Sequence, residues 1–385
     1  MVKGFPGYVR PDGKVGVRNF TAIVGLEGLT IPVVRRVATW VPQVVAFTVP
    51  TGRGQVGNDY RTTLAAVRGI AANPNVANVL LVAYDRSFIE PLLDSLHASV
   101  KPFEVLAVGE FGSTLDASAV GARLAADQLI EASGQTRESV PISRLTVALK
   151  CGLSDSTSGI AANRVLGTVV DRLIDEGATV VFGETAELAG AEDMLARRAR
   201  NADLAASVRA LVGRRATLPR EMDGTLAEGV LGPENRRGGL TTVEEKALGN
   251  VIKTGQRPID GLLEYADAPH GAGLWMMDTP IFASEAVTAM VAGGCTIVAF
   301  TTGFGNPYGH PIAPTIKIGG NPKAHPKARS HLDADVSGVL TGDLTLPSAA
   351  DAVYRTLVNV ASGRLTQAEA LSEDGYAIAR EGPSA

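Results

Sequence analysis

Apolar and polar positions along this chain follow two alternating periods. Short β-branched runs at Phe20–Val24, Val44–Val49, Val79–Ala83 and Glu104–Val108 read as strands bounded by turn residues. Between them lie amphipathic stretches of helical period. Asp59–Ala72 carries apolar positions at Leu64, Val67 and Ile70, and Leu115–Ala132 is closed by Gly134. A second series follows: strand Leu145–Leu149, helix Gly159–Glu176, strand Thr179–Phe182 and helix Ala186–Arg200, then strands Gly273–Met277 and Thr296–Phe300. Strands alternating with helices predict an α/β fold with mainly parallel sheets flanked by helices.

Length adds a domain count. At 385 residues the chain exceeds twice a common domain length of roughly 150 residues. Gln135–Pro141 is mostly polar and ends in proline, so the boundary is placed there. This gives a first α/β domain over 1–136 and a second over 141–385 that carries most of the candidate site. Asn201–Pro258 is more polar and is expected to decorate the second domain, and the tail Glu369–Ala385 is expected to end in disorder. The formal charge of −4 is spread along the chain, which excludes the concentrated basic surface of a nucleic-acid binder. No apolar run reaches the ~20 residues of a membrane span, and the N-terminus lacks the apolar core of a secretion signal. With only Cys151 and Cys295, a cytoplasmic chain without structural disulfides is expected.

In open parallel sheets, ligands bind beyond the carboxyl ends of the strands. The predicted strands of the second domain exit into Lys150–Gly159, Gly183–Glu187, Asp278–Pro280 and Thr301–His310, all rich in carboxylates, hydroxyls or glycines. Asp155, Glu184 and Asp278 are therefore candidate ligands of a divalent metal, which would neutralise an enolate. Each aspartate also suits a helix N-cap. The loop with Thr301, Thr302 and Gly303 offers backbone amides and hydroxyls for a substrate carboxylate, with Lys317 on the segment that follows. Ser154 and Ser158 are further substrate contacts, and Arg18, beside a Pro-Asp-Gly turn, is a candidate carboxylate clamp. No histidine pair has metal spacing; among His97, His270, His310, His325 and His331, His310 is best placed, at the end of the glycine loop. Cys151 at a strand exit reads as a ligand or, slightly favoured, as a packed residue.

Gly7–Asn19, Asn73–Val76, Cys151-Gly152 with Ser154-Asp155 and Ser158-Gly159, and Glu184-Thr185 form an ordered set. It continues through Gly238–Thr242, Glu245-Lys246, Leu248-Gly249, Met277–Pro280, Ala292–Gly294, and Phe300–Gly303 running to Ile316-Lys317. This set resembles the large segment of altronate and galactarate dehydratases. The resemblance implies two α/β segments, a divalent metal that is often iron (Mn2+ and Mg2+ being alternatives), and dehydration of sugar acids. It also covers sulfolactate sulfo-lyase, whose separate large subunit has this length. Fused members begin with a small extra domain, so a separate small subunit is an expected partner. Departures occur at Gly52-Arg53-Gly54 and Tyr84-Asp85-Arg86, where the family usually has cysteines. They also occur at His331-Leu332-Asp333, where an acidic triplet is customary, and at Phe304, where arginine is usual, which leaves cysteine ligation and sugar-acid specificity open. Arg53, Asp85 and His331 are candidate compensating residues.

The expected reaction is β-elimination. A base removes the proton next to the carboxylate of a small hydroxy acid, hydroxide or sulfite departs, and ketonisation gives a 2-oxo acid. Glu184, Lys246 and His310 are the candidate bases. The rival expectation is a non-catalytic binding subunit. Homo-oligomer formation stays open.

Overall fold

Strands buried on both faces read as unbroken apolar runs, and Val76–Ala83, buried at all eight positions, is the clearest case. The computed structural model describes residues 4–384 apart from 53, 99, 222–223 and 324–328. At the start, β1 (Gly4–Val9) pairs antiparallel with β2 (Val15–Gly16) and with β7 (Glu138–Pro141). The predicted boundary segment is thus partly a strand, holding the N-terminus beside the junction.

β3 (Phe20–Gly25), β4 (Val45–Thr48), β5 (Val76–Ala83) and β6 (Phe103–Ala107) form a parallel sheet in the order β4-β3-β5-β6. The second sheet has seven parallel strands: β8 (Thr146–Cys151), β9 (Thr179–Phe182), β10 (Ile259–Leu263), β11 (Gly273–Met277), β12 (Ile297–Thr302), β13 (Thr315–Gly319) and β14 (Ala334–Asp335). Their order is β10-β11-β9-β8-β12-β13-β14, all neighbours parallel. The mainly parallel α/β architecture expected from the alternation is the one observed.

The layers follow from which face each side chain takes. Ile23, Leu80 and Leu106 pack under α1 (Ile31–Trp40) and α4 (Thr114–Ser133). Ala22, Val24 and Leu81 face the opposite way, onto α2 (Gly57–Ala72) and α3 (Glu90–Ala98). The helix Ala283–Ala292 shares this middle layer and packs its other side on Ala148, Trp275 and Val298 of the large sheet. α5 (Asn163–Asp175) and the helix Leu346–Ala361 cover that sheet's far face. Gly69 allows the two helical faces to meet, since a Cβ there would lie 2.2 Å from the Ala292 carbonyl.

Some expectations change. Ala186–Arg200 is not one helix: a turn of 3-10 helix at Thr185–Leu188 is followed by a short helix at Glu192–Ala196. Gly190, at φ 91°, breaks the helical period between them. The helix expected from Gly159 opens as a turn of π-helix at Ser158–Ala162. Asn201–Pro258 does not merely decorate: its described residues fold into four helices, and the last, Val243–Ile252, reaches the candidate site. The tail beyond Leu371 lacks regular structure but is anchored, with Tyr376 stacked on Phe47 at 4.0 Å and its hydroxyl meeting Thr48.

Arg18 also changes role. Its five N–H groups all meet the protein itself: Nε and one Nη2 proton fork onto Glu369 at 2.7 and 2.8 Å, and the others reach the carbonyls of Val17, Val360 and Arg364. No donor remains for a substrate, so Arg18 fastens the first domain to the C-terminal helices. Arg18→Met should cost about 3 kcal/mol, read as a lower thermal midpoint, because it strands a part-buried carboxylate. KM for the substrate should stay unchanged, and a raised KM with unchanged stability would restore the binding role.

Candidate active site

The strand order of the large sheet reverses between β8 and β12, the position at which a crevice opens in a doubly wound sheet. Two residues next to it hold left-handed backbone without being glycine: Leu153 at φ 49° and Glu184 at φ 65°. Such conformations cost of order 1 kcal/mol and concentrate at functional sites. At Leu153 the turn brings Ser154 onto a cavity of about 350 Å3, while its carbonyl accepts from the Gly303 and Phe304 amides. At Glu184 the turn places the carboxylate beneath Cys151.

Glu184 is fully buried between Lys150 and Lys253. Lys150 also donates to the carbonyls of Cys151 and Ile281. Lys253 meets Glu184 Oε2 at 2.6 Å, Asn250 Oδ1, and Cys151 Sγ at 3.5 Å. One turn on from Glu184, Glu187 accepts from Lys246 at 2.9 Å and from Asn250 Nδ2 at 3.0 Å. Lys246, Asn250 and Lys253 sit at helical spacings of four and three residues on the Val243–Ile252 helix and its cap, so one stripe reads both carboxylates. That helix is started by Thr242, which accepts from the Glu245 amide at 3.1 Å.

Formally, three ammonium groups face two carboxylates, which leaves one positive charge in a buried cluster. Burial opposes ionisation of Glu184, but Lys150 and Lys253 outweigh it and hold the carboxyl down at about 2. Burial also works against charge on Lys246 and Lys253; Glu187 lifts the first, and Cys151 and Glu184 lift the second, above the ordinary lysine range. Cys151 moves up to about 11, mainly through burial and the Glu184 charge, against the pull of Lys253. Of this cluster, Cys151, Lys246 and Asn250 line the cavity, beside Ser154, Asp155 and Ser158.

Asp155, Glu184 and Asp278 do lie along one edge, since they follow the parallel strands β8, β9 and β11. Each nevertheless has separate partners. Asp155 accepts from Thr157, the Ser158 amide and Asn321, and its Cγ would lie 2.3 Å from a Cβ on Gly303. Asp278 takes Arg214, Arg215 and the Thr185 hydroxyl. Among the described residues, the ligand-type atoms that converge within 4.8 Å belong to Cys151, Glu184 and Glu187. Thiol and carboxylates suit a borderline cation such as Fe2+. The donors are engaged, however: an ammonium sits on each Glu184 oxygen, and Glu187 is shared by Lys246 and Asn250. A divalent ion would join a cluster already in positive excess, so the trio does not fit Fe2+, Mn2+ or Mg2+ while the lysines are charged.

The other sequence candidates divide. Ser154 lines the cavity, and its buried hydroxyl has no hydrogen-bond partner among the described residues. Ser158 lines it too, though its hydroxyl is engaged with Asp155. Thr301 donates to Asn163 at 2.5 Å and Thr302 accepts from the Gly305 amide, so both hold the loop rather than face the cavity. Lys317 is fully buried, its ammonium has no hydrogen-bond partner among the described residues and lies 5.5 Å from the Phe300 ring, and burial lowers it to about 8. His310 lies away from the cluster, on a separate cavity with Phe20 and Glu369. His331 pairs with Glu373 at 3.0 Å, and Asp85 caps a 3-10 turn by accepting from the Ser87 amide. Arg53 and His325 lie outside the described residues.

The sequence alone does not single out Glu187, Lys150, Lys253 or Asn250. The spacing of Lys246, Asn250 and Lys253 was the available signal, but it points to chemistry only once Glu184 and Glu187 are known to face it.

Residues 7–133 match the family described as D-galactarate dehydratase/Altronate hydrolase, second domain, and residues 142–384 match D-galactarate/Altronate dehydratase, C-terminal. The chain belongs to this family. It is 38% identical to the (2R)-sulfolactate sulfo-lyase subunit beta of Chromohalobacter salexigens, over 98% of this chain and 97% of that one. It is 29% identical to the altronate dehydratase of Bacillus subtilis, over 98% of this chain and 78% of that one. It is also 32% identical to the galactarate dehydratase (L-threo-forming) of Escherichia coli, over 63% of this chain and 46% of that one.

His310 gives a test of its own placement. Its Nδ1 accepts from the Ile312 amide at 3.2 Å, and burial depresses the ring to about 3. The folded state therefore stays neutral where the unfolded chain gains a proton, and stability falls as pH drops below about 6.5. Between pH 7.5 and 5, denaturant titration should show wild type losing about 2 kcal/mol more than His310→Gln. Equal losses would mean that the ring is hydrated and titrates normally.

Proposed function

We propose that this chain is a lyase that performs β-elimination on a small 2-hydroxy acid and yields a 2-oxo acid. The observation that carries the reading is the cationic lysine–carboxylate cluster at the floor of a cavity at the sheet's topological switch point. A cavity of about 350 Å3 suits a small acid. The Lys246 ammonium at the cavity wall favours an anion, and Ser154, whose hydroxyl is unpartnered among the described residues, lines the same wall.

Of the three candidate bases, Lys246 alone lines the cavity. Its contacts are the Val230 carbonyl at 2.5 Å, Glu187 at 2.9 Å and Asn235 at 3.3 Å. After passing a proton to Glu187, the amine can remove the proton next to the substrate carboxylate, exchanging its long Asn235 contact for the substrate. Glu184 acts from beneath, fixing Lys150 and Lys253. These steps are assigned to side chains, because the Cys151–Glu184–Glu187 trio does not fit a divalent ion.

The relative matched along 97% of its length is named for (2R)-sulfolactate, which makes sulfite the favoured leaving group and hydroxide the second. That relative is named a subunit, so a separate small subunit is part of the proposal. The direct assay supplies sulfolactate, altronate and galactarate to the chain, alone and with small subunits from the same genome, and measures 2-oxo acid and sulfite. No 2-oxo acid under any combination would defeat the reading.

Lys246→Met should lower kcat/KM by about 10²-fold or more. Lys246→Arg keeps the charge but cannot give up a proton, and should fail equally. Recovery in the arginine variant would make Lys246 a binding cation and not the base.

A further inference from the structure

Contact distances separate the cluster's donors. Each lysine has all three donors placed: Lys150 on Glu184 and two carbonyls, Lys246 on Val230, Asn235 and Glu187, and Lys253 on Glu184, Asn250 and Cys151. The Cys151 thiol is the donor with the longest contacts. Its Sγ lies 3.7 and 3.9 Å from the Glu184 oxygens and 3.8 Å from Glu187 Oε2, long contacts for a weak S–H donor. Cys151 itself lines the cavity, beside Ser154, whose buried hydroxyl has no hydrogen-bond partner among the described residues.

We infer that Cys151 is the proton donor that converts the enol left by elimination into the 2-oxo acid. This assignment rests on the lyase reading above. The S–H bond breaks and a C–H bond forms at the carbon that lost its leaving group. As the enol hydroxyl becomes the carbonyl, its proton passes to the thiolate and restores the thiol. The proton that Lys246 took from the substrate remains in the Lys246–Glu187 pair, and the excess one leaves with the departing sulfite or hydroxide. No oxidant or other co-reactant is required.

Charge supports the direction of this step. Three ammonium groups against two carboxylates leave room for one more negative charge, and the transient thiolate supplies it, 3.5 Å from Lys253 Nζ. At rest, burial and Glu184 keep the sulfur protonated, so the donor is loaded before the enol forms. Hydroxyl replacement keeps a donor of similar shape but a weaker acid, whereas alanine removes the donor.

The experiment follows the two products separately with 3-sulfolactate, using the chain together with its small subunit if activity requires one. Wild type should release sulfite and 2-oxo acid together from the first turnovers. In Cys151→Ala, sulfite release should precede the 2-oxo acid, with enzymatic ketonisation slowed by about 10²-fold or more. The lag should then follow a first-order constant independent of enzyme concentration, and Cys151→Ser should show a shorter lag. Circular dichroism and thermal midpoints establish that each variant is folded. A folded alanine variant with no lag would overturn the assignment. So would one that releases neither product, since Cys151 would then act in elimination itself. If wild type releases neither product from sulfolactate, altronate or galactarate, the lyase reading fails, a result separate from either variant outcome.

Discussion

The buried carboxylate of Glu184, with Lys150 on one oxygen and Lys253 on the other, is the constraint around which the second domain is arranged. An unpaired charge in that position would cost several kcal/mol, so the three groups must arrive together. Lys150 comes from the end of β8, Glu184 from the turn after β9, and Lys253 from the cap of a helix about seventy residues further on. The left-handed backbone at Glu184 is tolerable because two ion pairs and the Thr279 hydroxyl, which accepts from the Glu184 amide at 2.7 Å, over-determine it. Removing Glu184 leaves two buried ammonium groups without their shared carboxylate.

The strands were legible because parallel strands between helical layers carry continuous apolar side chains. Thr179–Phe182 has the expected bounds, while β5 extends the expected Val79–Ala83 back to Val76. The exits, and so the edge carrying the chemistry, followed from that reading. Pairing at the edge was not legible. Cys151 and Lys253 meet across 102 positions, and nothing local marks either as the other's neighbour. Ala186–Arg200 misled for a related reason: its composition favours helix, but Glu184 and Glu187 must turn inward toward the lysines, and the chain spends a 3-10 turn doing so. Arg18 shows the opposite error. A guanidinium near a strand reads as a clamp, and its five donors turn out to be satisfied by the chain's own C-terminal end.

The first domain enters through rigidity rather than through ligands. Asn73 donates to the Val291 and Cys295 carbonyls, and Asn75 to those of Thr296 and Ile312. These amides hold the start of β5 against the end of the Ala283–Ala292 helix and the segments that lead into β12 and β13, β12 being one of the two strands at the switch point. With the shared apolar layer, they make relative motion of the sheets expensive. Positioning a base within a few tenths of an ångström needs such a frame.

A cluster one positive charge in excess is stable in isolation only if something answers that charge. On the proposed reading a bound acid would answer it, and the same imbalance would then be a source of affinity for anions. The family resemblance leads one to expect a metal to hold the developing enolate. Here ammonium groups already stand where the donors converge, and they supply positive charge that is fixed before substrate arrives. Preorganised charge of this kind favours the state in which negative charge has developed over the state in which it has not. On the proposed lyase reading, stabilisation of an enolate and preference for anionic substrates would have one physical origin.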